Sequence, residues 1–203
     1  MKITPSQMLP LIKPLLPDLR DALYEGIAYA DDLQPDSSDR DPWYWSNSAR
    51  WRARRTLKSR ISPDDWELIP DVPNGGIHLR NGLLIVRVLR SVGGTTPAPG
   101  FSRSRRVAWV QGRLAFRLEE EETDDDVPMA DLVLDWTYDE EGLAAHLGMP
   151  VGVWEHGEAP VLAWRVPLPI EETDLVDLVF ASEDHAPDVP VRLRLDKAET
   201  DGE

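Results

Sequence analysis

Three Trp, one Tyr and four Arg crowd into residues 43–55 of this chain, "WYWSNSARWRARR". Side chains of these types serve three kinds of chemistry. An Arg guanidinium stacks on an indole face. Arg forks clamp phosphate while a neighbouring ring stacks a base, as in single-strand nucleic-acid binders. Trp, Tyr and Arg together also form the anchors of protein interfaces. On a helix at about 100° per residue, Trp45, Ala49, Ala53, Leu57 and Ile61 fall on one stripe, which predicts the core-facing side. Arg52, Arg54, Arg55, Lys58 and Trp51 spread over the remainder. Trp43, Tyr44, Trp51, Arg52, Arg54, Arg55 and Lys58 are therefore the candidate partner-binding residues of this helix. Packing within the molecule is the plainest use of the run, protein docking the next, and nucleic acid the third.

A second candidate is the Gly/Pro loop "SVGGTTPAPGFSRS", residues 91–104, with two more Arg after it. Gly93, Gly94 and Gly100 expose backbone N–H groups, and Arg103, Arg105 and Arg106 join the candidate partner-binding set. The spacing matches neither the P-loop nor the dinucleotide fingerprint. The loop is still the best ligand candidate outside the helices, because loops of this length without structure are often functional.

Catalytic and metal signatures are sparse. The four His, at 78, 146, 156 and 185, have no metal-ligand spacing, and no G-x-S-x-G is present. His156, with Glu155 and Glu158 beside it, reads as a solvated turn. Carboxylates abound after residue 119, but nothing singles out an acid/base pair. The clusters 119–126 and 139–141 lack the calcium-loop pattern. The chain has no Cys, which excludes disulfides and thiol chemistry. The sequence thus calls for no cofactor and no metal. A catalytic reading, third in order, requires a deep pocket holding His78, His146 or His156 with a carboxylate partner.

Residues 140–160, "EEGLAAHLGMPVGVWEHGEAP", resemble the helix-turn-helix of small bacterial repressors in their "LA…LG" and "WE.G…P" residues. The span from Gly148 to Trp154 is too short for the turn and recognition helix. Pro150 and Gly152 would break that helix. No DNA-reading residue is carried over.

These candidates need elements to position them. Residues 1–62 read as helical, with one helix from about Pro17 to Leu33 marked by Leu16, Leu19, Leu23, Ile27 and Ala30. A polar linker follows at 31–42. Asp41 then reads as an N-cap and Pro42 as the first residue of the second helix. From Trp66 the period becomes two. A hairpin is expected about Asn81-Gly82, a strand or hairpin at 105–118, three meander strands in "ADLVLDWTY", "GLAAHLGM" and "VLAWRVPLP", and a last strand at 189–195. The fold class expected is α+β, with two N-terminal helices packed on a mainly antiparallel β-sheet or partly closed barrel. The helical segment 1–62 and the β-rich domain 63–197 form one cooperative unit, with a charged tail at 198–203.

The net charge of −15 is sorted along the chain. Residues 72–118 carry eight Arg and no Asp or Glu, whereas residues 119–203 carry four basic and twenty-five acidic side chains. Either the acidic third covers the basic middle or the basic surface is free for a partner; long-range repulsion of polyanions favours the first. The opening residues, broken by Pro10, Pro14 and Pro17, do not read as a signal peptide, and no stretch is apolar enough to span a membrane. The expectation is a cytoplasmic, non-catalytic interaction or regulatory protein with residue usage of a GC-rich bacterial or phage genome. It would be an accessory factor of the toxin-neutralising or defence-associated type, with a protein partner. Nucleic acid is the alternative partner. Oligomeric state is not readable.

Overall fold

The computed structural model describes residues 3–62, 65–82, 84–91, 93–98, 130–151 and 158–171. The N-terminal helical segment is interrupted. Helix α1 (Pro5–Ile12) passes through a 3-10 turn at Lys13–Leu15 into α2 (Leu16–Leu33). Pro14 has no N–H to give the carbonyl four residues back, so the α-helical ladder breaks there. Helix α3 (Pro42–Arg60) begins as its sequence predicts. Asp41 accepts hydrogen bonds from the backbone N–H of Trp43 (2.8 Å) and Tyr44 (3.0 Å), and Pro42 occupies the first turn. Trp45, Ala49, Ala53 and Leu57 are buried, as the stripe requires, with Ile61 packed at its end.

Helices α2 and α3 run antiparallel, since Asp31 meets Trp45, Glu25 meets Arg52, and Asp21 meets Arg60. Their axes come close because Gly26 faces Ala49 and Ala53. A Cβ at Gly26 would lie 2.4 Å from the carbonyl oxygen of Ala49.

The pair packs on a six-stranded open sheet ordered as in the sequence: β1 (Glu67–Leu68), β2 (Ile77–Asn81), β3 (Leu84–Arg90), β4 (Ala130–Asp139), β5 (Gly142–Pro150) and β6 (Leu162–Leu168). All neighbours are antiparallel except β3 and β4, which are parallel. The class is therefore α+β with a mainly antiparallel sheet, and the sheet is not a closed barrel. Gly82 takes φ 54° in the β2–β3 turn, the left-handed region glycine adopts without strain. The three meander strands are β4, β5 and β6. Because β5 occupies Gly142–Pro150, the helix-turn-helix resemblance has no helix under it. The candidate strands at 105–118 and 189–195 lie outside the described residues.

Alternation sorts the sheet into two faces. Ile77, Leu79, Val86, Val88, Leu132, Leu134, Ala145 and Leu147 face the helices and are buried. The opposite face of β4 presents Asp131, Val133 and Asp135, also buried, so β4 is covered on both sides. No helix among the described residues is long and apolar enough to cross a membrane.

Replacing Gly by Ala inside a helix ordinarily stabilises by about 1 kcal/mol. At Gly26 the sign reverses, because the helices must separate to admit the methyl group. Gly26→Ala is expected to lower the unfolding free energy by about 1–3 kcal/mol, the usual range for overpacking, in urea titration.

Candidate functional site

Most of the cations on α3 are engaged inside the fold. Arg52 pairs with Glu25, which also accepts from Thr56 Oγ1 at 2.6 Å. The bonds from Thr56 and then Arg52 hold the Glu25 carboxyl below its usual range. Arg60 binds Asp21 at 2.6 Å. Burial opposes ionisation of Asp21, but hydrogen bonds from Arg20 and Arg60 outweigh it and lower its pKa. Arg54 reaches the other way. Its NH1 donates to the Gly76 carbonyl (2.6 Å) and its NH2 to that of Ile69 (2.8 Å), fastening α3 to the segment before β2. Among the described residues, then, the acids meeting this basic helix come from α2. The acidic cluster 119–126 and the acidic residues beyond 171 lie outside the described residues.

The outermost ridge of α3 carries Tyr44, Trp51, Arg55 and Lys58, which fall together at helical spacing. Tyr44 is 45% exposed and Trp51 49%. The Arg55 guanidinium lies over the Trp51 ring at 5.7 Å, and the ring of Tyr29 on α2 lies 5.7 Å from the Trp51 ring. Arg52 stands over Tyr29 at 5.9 Å. The result is a patch of rings and cations spanning both helices. Arg103, Arg105 and Arg106 lie outside the described residues.

Trp43 is 73% exposed and points away from that ridge. It rims a cleft of about 500 Å³ between the first half of α3 and the end of β3, lined also by Ser46, Arg50, Arg90 and the described part of the Gly/Pro loop. Arg90 continues the helix-facing row of Leu84, Val86 and Val88, so strand alternation turns it toward α3. Its guanidinium covers the buried Trp45 ring at 4.4 Å and donates to Ser46 Oγ at 2.5 Å. Arg40 lies over the same ring at 5.4 Å and pairs with Asp31, which also accepts from Trp45 Nε1. Arg90 was not among the residues singled out in the sequence. The signal was present: a charged residue at a core-facing position of an apolar strand.

The opposite face of the sheet carries a second polar cluster. Asp135, 1% exposed, accepts from Arg165 Nε (3.1 Å) and NH2 (2.7 Å), from Thr96 Oγ1 (2.6 Å) and from Ser91 Oγ (3.3 Å). His146 Nδ1 is 3.8 Å from Asp135. This is the His–carboxylate pair a catalytic site would need, yet every strong contact of Asp135 is structural. It binds β4 to β6 and holds Ser91 and Thr96, and His146 lines neither the cleft by Trp43 nor the chamber behind it. Nearby, Asp131 pairs with Arg87 at 3.2 Å, while burial pushes its carboxyl pKa up. His78 stands on β2 and His156 lies outside the described residues. Among the described residues no three His, Asp or Glu gather as metal ligands.

The arrangement defines a class: an α+β protein with a helix pair on one sheet face and an aromatic–cationic helix exposed at its edge. Comparison with known proteins finds no family model that matches the chain, and no curated protein or solved structure significantly similar to it.

Breaking a buried ion pair by removing one partner strands the other charge. Asp135→Asn is expected to cost about 3–5 kcal/mol of unfolding free energy. His146 gives a pH signature. Burial, with Arg165 beside it, holds its pKa below the ordinary value of 6.5 despite the attraction of Asp135. The unfolded chain then binds a proton that the folded one refuses, so stability is full above pH 6.5 and falls as pH drops below it. Urea titrations at stepwise lower pH are expected to show this fall in the wild type and a shallower one in His146→Asn.

Proposed function

We propose that the protein is a non-catalytic interaction protein that docks a protein partner on the outer ridge of α3. The observation that carries this reading is the exposure of Tyr44 and Trp51 at helical spacing, with the Arg55 guanidinium over the Trp51 ring. Large rings with few rotatable bonds lose little entropy on docking and bury much area, which is why they anchor interfaces. Arg55 and Lys58 flank them, so the matching surface is apolar at its centre and acidic at its rim. A cytoplasmic regulatory or accessory role, of the toxin-neutralising or defence-associated type, is the class we assign. That assignment rests on the sorted charge and on the lack of a catalytic motif in the sequence.

Nucleic acid is the competing partner, and the internal engagement of Arg52 and Arg54 weighs against it. Phosphate binding on the outer ridge of this helix would rest on Arg55 and Lys58, too few for a strong electrostatic footprint.

Two measurements test the proposal. Fluorescence anisotropy with short duplex DNA and single-stranded RNA is expected to show no tight binding at low salt; affinity falling steeply with added salt would replace protein docking with phosphate binding. A photo-crosslinker at position 44 or 58, in cells that make the protein, is expected to trap one discrete protein adduct that Trp51→Glu abolishes. An adduct unaffected by Trp51→Glu would remove the ridge from the interface.

A further inference from the structure

We infer that the cleft rimmed by Trp43 is a binding site for a small phosphate-bearing ligand with a planar ring, a nucleotide by chemical class. Arg90 and Arg50 take the phosphate and Trp43 stacks the ring. This goes beyond the docking ridge and uses different residues.

Arg20, Arg40, Arg52, Arg60, Arg80, Arg87 and Arg165 each have a carboxylate within 4.0 Å. Arg54 has two backbone carbonyls. Arg90 is half-buried, yet among the described residues its hydrogen-bond partner is the neutral hydroxyl of Ser46, and no carboxylate there pairs with it. Burial, and then repulsion from Arg40, lower its pKa, as expected of a cation without a counter-charge. A desolvated charge left uncompensated is costly. An anion in the cleft would supply the compensation, and groups that can donate to it line the cleft: the Arg90 guanidinium, that of Arg50, which also donates to Asn47 Oδ1, and the Ser46 hydroxyl. Planar Arg forks match phosphate oxygens in pairs.

Size and shape set the rest of the ligand. The cleft volume of about 500 Å³ lies within the range of small-molecule sites. Behind it, Arg50 and Arg90 also border an inner chamber of about 40 Å³ lined by Leu23, Ile77, Val88 and Trp136. That chamber has room for water but not for a ring, so a planar group belongs at the mouth. There Trp43 stands 73% exposed, its ring without a stacking partner among the described residues. Gly93 of the Gly/Pro loop closes one side, with no Cβ to narrow the opening.

The test is isothermal calorimetry and thermal unfolding of the full chain at low ionic strength with pyrophosphate, adenosine and ADP. ADP is expected to bind and raise the melting temperature, pyrophosphate to bind about tenfold more weakly for want of the stack, and adenosine not to bind. Trp43→Ala is expected to bring ADP down to the affinity of pyrophosphate. Arg90→Met is expected to abolish binding of both. Because Arg90 also covers Trp45, Arg50→Gln serves if Arg90→Met does not fold; it too is expected to weaken both anions by about tenfold. Failure of ADP and pyrophosphate to bind at millimolar concentration overturns the inference. So does ADP binding unchanged in Trp43→Ala and Arg50→Gln, or binding of an acidic peptide with no response to either phosphate ligand.

Discussion

Gly26 lying against the backbone of Ala49 is the contact from which much of the remaining arrangement follows. It brings α2 and α3 so close that no large side chain fits between them. Whatever flanks the seam must meet across it. On one side this forces Asp21 and Glu25 against Arg60, Arg52 and Thr56, at a spacing set by the antiparallel register. Farther along the same side it sets Tyr29, one turn beyond Glu25, against Trp51. A helix as rich in Arg as α3 can lie against a core only if its cations have somewhere to go, and the acids of α2 provide it. The same closeness leaves Trp51 at the rim of the seam, between Tyr29 and Arg55 and half exposed.

The sheet treats charge in a parallel way on its far face. Asp131 and Asp135 are buried on β4, but each is bound by an Arg from another strand, and Asp135 also by Ser91 and Thr96. Buried ion pairs stabilise little relative to apolar packing, but they punish any register other than the one that pairs them. A slip of one residue in β4 would carry both carboxylates into the helix-facing core. The polar row therefore specifies the alignment of β4 with β3 and β6, and it pins the loop that forms one wall of the Trp43 cleft.

The helices were largely legible because local rules governed them. Asp41 and Pro42 start α3 as capping chemistry requires, and the stripe from Trp45 to Leu57 is buried as periodicity requires. The meander of β4 to β6 was equally plain from alternation and turns. The roles of individual Arg were not legible, because they depend on which atoms arrive from distant segments. Nothing local distinguishes Arg54, which meets the carbonyls of Ile69 and Gly76, from Arg55, which stays outside. The parallel pairing of β3 with β4 is long-range in the same sense, since Leu84 and Ala130 are neighbours only in space. Arg90 stands between these cases: its parity in an apolar strand points it inward, but only the fold shows that no acid among the described residues pairs with it.

Net charge decides what sort of anion such a site can accept. The chain carries −15 overall, so a long polyanion approaching it meets repulsion along its whole length. A small ligand meets the far field over a short path only, and at about 0.1 M salt charges beyond roughly 10 Å are largely screened. Within that radius the local groups dominate. Among the described residues these are, at the cleft, Arg50 and Arg90, with Arg40 behind Trp45. On the proposed reading the two scales act together as a filter: net repulsion disfavours extended nucleic acid, while the guanidinium groups at the cleft would attract a compact anion that reaches them. The same filter favours a protein partner on the ridge of α3, where rings rather than charges would supply the contact and Arg55 and Lys58 need only orient it.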